Sequence, residues 1–245
     1  MNTTGNTILI TGATSGIGLA FAKEFILQGN TVIICGRRDE RLSEIKATYP
    51  HIITKVCDIS DAAQRIALAD WVTKEYPNIN MLINNAGIQL AMDLTHPVDM
   101  EQLYAEVETN FIAPVHLTSL LVPYLATQQQ AAIINITSGL AFVPIAFMPV
   151  YCATKAALHS LTLSLRHQLK NTAIKVFEIA PPSVDTELGH QRRTDKSQSH
   201  GGMPVAAFME EAMETFQKDM LEAPIAGAKH LREKGETLFD MMNQR

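Results

Sequence analysis

The feature that most constrains the fold is the alternation of short, nearly continuous apolar runs with longer amphipathic segments. The runs are rich in Ile and Val, as are strands that lie buried on both faces of a parallel sheet. They cover residues 7–11, 31–35, 52–57, 81–84, 132–137 and 174–179. The helical segments between them include residues 17–27, 62–74, 100–125 and 156–169. The alternation predicts an α/β fold: one Rossmann-type, doubly wound parallel sheet of six or seven strands with helices on both faces.

The length of 245 residues suits a single domain that spans residues 1–245. The composition changes at residues 187–204, which are polar, charged and weakly patterned, and two helical patterns follow at 204–218 and 221–232. We therefore expect a mobile substrate loop or lid around residues 187–220. No pattern typical of a seventh strand is visible near the C-terminus.

Charge, hydropathy and cysteine usage exclude several classes of function. The net charge is −5 without a long basic block, so we expect no nucleic-acid partner. Prolines and polar side chains interrupt the longest apolar stretch, residues 111–126, so we expect no membrane span. Cys35, Cys57 and Cys152 form no C-x-x-C pair, and the polar start has no features of a signal peptide. We expect a cytoplasmic location with buried thiols, and the histidine spacing predicts no metal site.

A glycine-rich segment joins the first apolar run to the first helical segment. Gly12, Gly16 and Gly18 stand at this turn, where the lack of side chains lets the backbone approach a pyrophosphate. The start of the helix would then face that negative charge. The residues of the same loop that we expect to contact a dinucleotide are Thr14, Ser15 and Ile17. The alternative is a tight turn that binds no ligand.

The spacing G-x-x-x-G-x-G, written TGATSGIG, resembles the short-chain dehydrogenase/reductase family. Later segments are similar to the same family in the same order: N-N-A-G at residues 84–87 and Y-x-x-x-K at residues 151–155. The segment PPSVDTEL at 181–188, with Pro182 in place of a family glycine, and the C-terminal tail resemble its DltE-like bacterial subgroup. The resemblance implies a nicotinamide dinucleotide and further contacts to it from Asp58, Ile59, Asn85, Ala86, Gly87, Tyr151, Lys155, Pro181, Val184 and Thr186.

The end of the second strand favours NADP(H) over NAD(H). A carboxylate there would bind the ribose 2′-hydroxyl of NAD, but Gly36 leaves that place empty. Arg37 and then Arg38 follow, and guanidinium groups bind phosphate through charge-assisted hydrogen bonds. We expect Arg37 to contribute most and Arg38 second. The alternative is that both arginines are solvated, with Asp39 and Glu40 partly neutralising them.

The catalytic prediction starts from Tyr151 and Lys155, which lie four residues apart and therefore share one face of a helix. An ammonium beside a phenol stabilises the phenolate, so such a tyrosine can exchange protons near neutral pH. Taken alone, the pair is also common on helix surfaces. The resemblance adds Ser138, whose hydroxyl binds the substrate oxygen, and Asn110, whose backbone binds a water that connects Lys155 to solvent. It also implies that Lys155 holds the nicotinamide ribose.

Together these patterns predict an NADP(H)-dependent oxidoreductase that transfers a hydride between nicotinamide and a carbonyl or secondary alcohol, with Tyr151 as proton donor or acceptor. Two apolar segments favour a lipophilic substrate: residues 139–150, and a helix that carries Phe208, Met209, Met213 and Phe216. The alternative is that they only pack the lid and a subunit interface. A dinucleotide-binding sensor and a non-redox epimerase or dehydratase are the rival functions.

We also predict a homodimer, with a tetramer as the alternative, because the family's usual dimer face is formed by the long helices that begin near Met100 and Ala156. Pro114 and Pro123 should bend the first of these helices. Without a seventh strand, the second interface of family tetramers would be lost.

Overall fold

The computed structural model describes residues 1–188, 199 and 201–244. Its strands are β1 (Thr7–Thr11), β2 (Thr31–Gly36), β3 (Ile53–Val56), β4 (Met81–Asn84), β5 (Ala131–Ile136), β6 (Ile174–Ala180) and β7 (Glu222–Pro224). Within the described residues these seven form one parallel sheet in the order β3-β2-β1-β4-β5-β6-β7. The predicted α/β fold with a doubly wound parallel sheet is confirmed.

Helices cover both faces of the sheet. They are α1 (Gly16–Leu27), α2 (Asp39–Thr48), α3 (Ala62–Glu75), α4 (Met100–Val107), α5 (Ala113–Leu125), α6 (Pro149–Gln168), α7 (Val205–Gln217), α8 (Gly227–Lys234) and α9 (Phe239–Met242). One apolar layer packs α1, α2 and α7 against the sheet, and a second packs α3 and α5 against the opposite face. Among the described residues, no helix is long and apolar enough to cross a membrane.

The strand order places a ligand crevice above β1. This strand lies between β2 and β4, so the chain moves away from it in opposite directions on its two sides. Parallel sheets bind ligands where the order reverses, at the carboxyl ends of the strands. The glycine loop after β1, the N-N-A-G segment after β4 and the arginines after β2 therefore meet at one edge.

The absence of a seventh strand was a wrong prediction. Residues Glu222–Pro224 pair in parallel with β6, whereas the sequence pattern suggested a helix from residue 221. Three residues are too short to show a strand period, and Pro224 is tolerated because this strand lies at the edge of the sheet.

The long helix predicted at residues 100–125 is divided into three parts. A π-helical turn, Glu108–Ile112, separates α4 from α5. Pro114 lies in the first turn of α5, where its missing N–H is tolerated. Because residue 114 would donate to the carbonyl of Asn110 in a continuous α-helix, proline at this position forces that carbonyl out of the regular ladder.

The helix predicted to flank the substrate contributes to the main core instead. Phe208 and Phe216 are fully buried and make ring contacts with Phe21 of α1. Met209 and Met213 belong to the same core cluster. Large apolar side chains repeat on one face of α7, and that face covers α1. Of the predicted lid, residues 189–198 and 200 lie outside the described residues.

Candidate active site

The glycine loop turns tightly between β1 and α1. Gly12 and Gly16 have φ values of +65° and +55°, in the left-handed region that favours glycine. A Cβ on Gly12 would lie 2.5 Å from Cα of Ala86, and one on Gly18 would lie 2.4 Å from Nδ2 of Asn85. The loop therefore needs glycine both for its backbone conformation and for its packing against the segment after β4.

The start of α1 faces the crevice. Ser15 precedes the helix in an extended conformation, and Gly16 and Ile17 form its first residues. The first N–H groups of a helix have no partner within the helix and carry its positive dipole end. This arrangement suits a pyrophosphate.

Asn85 holds the glycine loop with its side chain. Its Nδ2 donates to the carbonyl oxygens of Thr11 at 2.9 Å and Gly12 at 3.2 Å. In return, Oγ1 of Thr11 accepts the backbone N–H groups of Asn85 and Ala86, both at 3.1 Å. Thr11 was not identified from the sequence, although its place at the end of β1 beside N-N-A-G was the available signal. The side chain of Asn85 therefore stabilises the conformation of the glycine loop.

The sequence suggested that Gly36 leaves an empty place, but the structure shows that this place is filled. A Cβ on Gly36 would lie 2.7 Å from Cγ2 of Thr14, so the methyl group of Thr14 fills the space. Position 36 nevertheless carries no carboxylate, because only glycine fits beside Thr14 without a shift.

The two predicted arginines have different surroundings. Arg38 donates from Nη2 to Oγ1 of Thr14 at 2.6 Å and to Oγ of Ser15 at 3.0 Å. Arg37 is 61% exposed, and its Nη1 lies 3.8 Å from Asp58. Arg38 is therefore the one that contacts the glycine loop. The nearby carboxylate partners are Asp58 and Glu187 rather than the expected Asp39 and Glu40.

Glu187 bridges two arginines, one of which the sequence did not suggest. Its carboxylate lies 3.0 Å from Nη1 of Arg38 and 2.9 Å from Nη1 of Arg41. Arg41 lies one helical turn after Arg38 in α2, and this spacing was the available signal.

The loop after β3 is tied to the π-helical turn by a buried arginine. Asp58 accepts the N–H and hydroxyl of Ser60, and Ile59 is 7% exposed. Arg65, 2% exposed, donates to the carbonyl of Ile59 at 2.6 Å and pairs with Glu108 at 2.8 Å. Arg65 was not identified from the sequence, because its partners lie far apart along the chain.

Tyr151 and Lys155 both lie in the first part of α6, which begins at Pro149 instead of residue 156. They are 5% and 4% exposed, and Nζ of Lys155 lies 5.8 Å from the centre of the Tyr151 ring. Met148 packs beside Tyr151, as do Leu140 and Ile145. The pair is therefore buried next to an apolar surface and does not belong to a solvated helix face.

A backbone carbonyl fixes the position of the Lys155 ammonium. Its Nζ donates to the carbonyl of Ile136 at 2.9 Å. Burial in an apolar environment lowers the lysine pKa to about 8. A Cβ on Gly87 would lie 3.6 Å from this Nζ and 3.4 Å from Oδ1 of Asn110, so the N-N-A-G segment passes directly over the lysine.

Ser138 follows β5 in an extended conformation and is 8% exposed. Its Oγ accepts the N–H of Leu140 at 3.1 Å, so its own proton can be donated to a substrate oxygen. Gly139 donates to the carbonyl of Pro181 at 2.8 Å. This bond connects the serine turn to the segment after β6.

Asn110 lies in the π-helical turn and is fully buried. Its side chain accepts the N–H of Ile88 at 2.8 Å and donates to the carbonyl of Ile88 at 2.9 Å. It also donates to Thr154 at 3.2 Å. The side chain thus holds the segment after N-N-A-G, and Pro114 has no N–H to offer the Asn110 carbonyl.

The predicted contacts after β6 lie beside the glycine loop. Val184 pairs with Met203 in an isolated bridge and is 7% exposed. A Cβ on Gly16 would lie 3.2 Å from Cβ of Thr186. The segment from Pro181 to Thr186 therefore crosses from the serine turn to the start of α1.

One carboxylate and imidazole cluster was also not identified from the sequence. Glu178, fully buried in β6, accepts from Thr137 at 2.8 Å and lies 2.8 Å from Nδ1 of His159. His159, Glu178 and Glu222 bring potential metal-ligand atoms within 4.8 Å of one another. Arg232 donates to Glu222 at 2.6 Å, so the Arg232 guanidinium and the His159 imidazole already face the two carboxylates.

Known proteins match this chain over most of its length. The family model described as short chain dehydrogenase matches residues 6–197. The uncharacterized oxidoreductase DltE of Bacillus subtilis is 46% identical, over 99% of this chain and 98% of that protein. The NADP-dependent 3-hydroxy acid dehydrogenase YdfG of Escherichia coli is 35% identical, over 76% of this chain and 75% of that protein. A short chain dehydrogenase/reductase of Burkholderia phymatum in complex with NAD has a TM-score of 0.84 at 22% identity, over 95% of this chain and 93% of that chain.

The matched region contains the glycine loop, the buried tyrosine and lysine, the serine turn and the asparagine in the π-helical turn. These elements meet at the carboxyl edge of one parallel sheet, as the fold requires. The chain is similar to DltE along its whole length, and it is an enzyme that acts on CH–OH or C=O groups. It belongs to the short-chain dehydrogenase family.

Proposed function

We propose that this protein is an NADP(H)-dependent oxidoreductase of carbonyl compounds or secondary alcohols, with Tyr151 as the proton donor or acceptor. The observation that carries the proposal is the burial of Tyr151 and Lys155 on one face of α6, beneath Gly87 and beside an apolar surface. A buried ammonium near a phenol favours proton exchange by that phenol.

The residues at the crevice fit a dinucleotide. Gly12 and Gly18 leave no room for side chains, and the start of α1 offers N–H groups to a pyrophosphate. We assign the adenine end to Asp58 and Ile59. We assign the nicotinamide end to the residues that lie on the other side of the glycine loop: Asn85, Ala86, Gly87, Tyr151, Lys155, Pro181, Val184 and Thr186.

In the proposed reaction, the nicotinamide supplies or takes up the hydride when it is bound. Tyr151 donates its phenolic proton to the substrate oxygen as the carbonyl is reduced, and removes it in the reverse direction. Ser138 donates a hydrogen bond to the same oxygen while negative charge develops there. Lys155 stabilises the phenolate and holds the ribose, and the Asn110 carbonyl binds a water that connects Lys155 with solvent.

The preference for NADP(H) rests on the arginines after β2. Position 36 holds no carboxylate, and Arg38 already donates to Thr14 and Ser15 of the glycine loop. Arg37 is exposed at the same edge and able to turn toward a phosphate. The 35% identical YdfG protein is NADP-dependent. We therefore assign both arginines to the 2′-phosphate and keep NAD(H) as the weaker ligand.

We propose a lipophilic substrate on the basis of residues 139–150 alone, since α7 belongs to the core. Leu140 and Ile145 pack against the cluster that contains Tyr151, and Phe147 is 51% exposed at the same loop. An apolar wall beside the proton donor favours substrates with an apolar group next to the carbonyl.

The proposal also includes a homodimer, a single domain over residues 1–245 and a cytoplasmic location. The three thiols, Cys35, Cys57 and Cys152, are free and buried, which suits a reducing compartment. Of the lid predicted at residues 187–220, α7 belongs to the core, and the segment before α7, part of which lies outside the described residues, remains a prediction.

The test is NADPH oxidation by the purified protein with a panel of apolar ketones and aldehydes, 3-oxo acids and sugars. We expect turnover with apolar carbonyl compounds and a kcat/KM at least tenfold higher with NADPH than with NADH, roughly 1.4 kcal/mol. Turnover of sugars alone would contradict the lipophilic pocket. NADPH binding without any turnover would favour the sensor instead.

A further inference from the structure

A carboxylate from the far side of the crevice reaches the arginines after β2. Glu187 follows β6, whereas Arg38 and Arg41 follow β2. In the sheet, β1, β4 and β5 separate these two strands, which is roughly 19 Å at about 4.8 Å for each step between neighbours. The contact therefore spans the carboxyl edge of the sheet, where a dinucleotide binds in such folds.

Both oxygens of this carboxylate are used. Oε2 of Glu187 accepts from Nη1 of Arg38 at 3.0 Å, and Oε1 lies 2.9 Å from Nη1 of Arg41. Arg38 directs its other donors to the hydroxyl groups of Thr14 and Ser15. One anion thus binds between two guanidinium groups at the edge of the glycine loop.

A ribose 2′-phosphate requires the same donors. Phosphate binds guanidinium groups through paired, charge-assisted hydrogen bonds, and it carries more negative charge than a carboxylate. The side chains of Arg38 and Arg41 are 46% and 44% exposed, so a ligand can reach them. Because like charges repel, the phosphate and the Glu187 carboxylate cannot both bind there favourably. The 2′-hydroxyl of NAD(H) is uncharged, so NAD(H) can bind without displacing the Glu187 carboxylate.

We propose that Glu187 is a specificity-determining residue whose carboxylate occupies the Arg38–Arg41 site until the 2′-phosphate of NADP(H) displaces it, with Arg41 as a further phosphate ligand. The inference rests on the proposed preference for NADP(H). On this proposal, Glu187 weakens the binding of NADPH but not that of NADH. It thereby reduces the difference in affinity between the two dinucleotides.

The test measures the Kd of NADPH and NADH by titration calorimetry on the full chain and its variants. Glu187→Gln should lower the Kd for NADPH roughly three- to tenfold and change the Kd for NADH by less than about twofold. Arg41→Gln should raise the Kd for NADPH by at least about threefold. Glu40→Gln is the matched control: it removes one exposed negative charge from the first turn of α2, beside the same arginines, and should change either Kd by less than about twofold.

A second probe separates the phosphate from the redox end. Adenosine 2′,5′-bisphosphate should bind Glu187→Gln more tightly than wild type by the same factor as NADPH, whereas 5′-AMP should not distinguish the two proteins. Weaker binding of NADPH to Glu187→Gln would overturn the inference, because it would show that the carboxylate organises the arginines for the phosphate. Equal tightening of both dinucleotides would overturn it as well.

The outcomes test the role of Glu187 separately from the proposed preference for NADP(H). A wild-type chain that binds NADH more tightly than NADPH would contradict the cofactor proposal, but a shift of Glu187→Gln toward NADPH would still support the role of Glu187. A wild-type preference for NADPH that Glu187→Gln leaves unchanged would overturn the role of Glu187 alone. An unchanged Kd for NADH shows that each variant retains its crevice.

Discussion

Lys155 combines a proposed role in the reaction with a cost in stability. Lys155 is 4% exposed, and its ammonium group donates a hydrogen bond to the carbonyl of Ile136. Burial disfavours its charged form and lowers its pKa to about 8, below the value that the unfolded chain has. Between these two pKa values the unfolded state binds more protons, so the free energy of unfolding rises with pH.

Lys155→Met should therefore abolish turnover and stabilise the fold. At pH 7 we expect the free energy of unfolding to rise by about 1–3 kcal/mol, because methionine fills the site without charge. The difference from wild type should shrink as the pH rises from about 8 toward 10.5. Urea denaturation between pH 6.5 and 10 measures it. A variant that is less stable than wild type at pH 7 would contradict this account of the lysine.

For His159, the stability of the folded state depends on pH in the opposite direction. The hydrogen bond to the buried Glu178 carboxylate raises the pKa of His159. Glu222 and Arg232 face the same cluster from β7 and α8, and Lys155 lies one turn earlier on α6. The protonated imidazole therefore stabilises the folded state fully below the unfolded pKa of about 6.5, and this contribution is lost as the pH rises through the raised value.

Comparison of His159→Gln with wild type tests this linkage by thermal unfolding from pH 5.5 to 9. We expect the variant to be most destabilised near pH 5.5. The difference in unfolding temperature between the variant and wild type should shrink as the pH rises toward 9. His167→Gln, which removes an exposed imidazole from the same helix, is the control for the substitution itself. A difference in unfolding temperature that does not change with pH would rule out a protonated His159 in the folded chain.

At this scale the sequence predicted residues whose chemistry depends on local spacing. Four residues bring Tyr151 and Lys155 to one helix face, and the resemblance to the family distinguished this pair from similar pairs on helix surfaces. The pairs Glu187–Arg38 and Glu178–His159 were not, because each joins residues that only the strand order brings together. The packing of Thr14 against Gly36 was missed for the same reason.

At the scale of elements, the π-helical turn connects a proline with the geometry of the candidate site. Pro114 has no N–H to offer the carbonyl of Asn110 and would clash with it in a regular helix. The sequence predicted a bend here, but not that the turn would widen at the residue expected to bind a water. The turn lies at the candidate site, as such turns frequently do.

Pro114→Ala restores the missing N–H and should let the turn relax toward a continuous α-helix. We expect kcat to fall by about tenfold, because the Asn110 carbonyl would be bonded within the helix and less available to water. The Kd for NADPH should change by less than about twofold. Steady-state kinetics with calorimetry provides both values, and an unchanged kcat would contradict the role of the turn. Pro123→Ala, inside α5, is the control.

The positions of the long strands were predictable, and their exact bounds less so. Strands β1 and β4 have the predicted bounds, whereas β5, which is buried just as completely, begins and ends one residue earlier than predicted. The three-residue β7 has one neighbour, so its residues carry little of the pattern that reveals a strand. Elements defined by tertiary pairing alone cannot be recognised from periodicity.

At the scale of the whole molecule, the face proposed for the dimer carries several exposed apolar side chains. Helices α4, α5 and α6 expose large side chains at Met100, Tyr104, Tyr124 and Leu163, which are 46%, 64%, 47% and 44% exposed. The overall fold was predictable because the alternation of apolar runs and helices allows few topologies. The subunit arrangement was not, because a single chain shows no partner.

Tyr104→Glu should therefore convert the proposed dimer to a monomer, since it places a charge among apolar contacts. Leu27→Glu, at the 82% exposed end of α1, is the control and should leave the dimer intact. Light scattering with size-exclusion chromatography gives the mass of each. A wild-type monomer would contradict the proposed dimer, as would a dimer that both variants preserve.

We propose that Tyr151 transfers the proton in a reaction that uses NADP(H). A comparison of wild type with Tyr151→Phe, which removes one oxygen atom, tests this role through both NADPH oxidation and NADPH affinity. We expect kcat to fall by about 10²–10⁴-fold while the Kd for NADPH stays within about threefold of wild type. Turnover retained by the phenylalanine variant would contradict it.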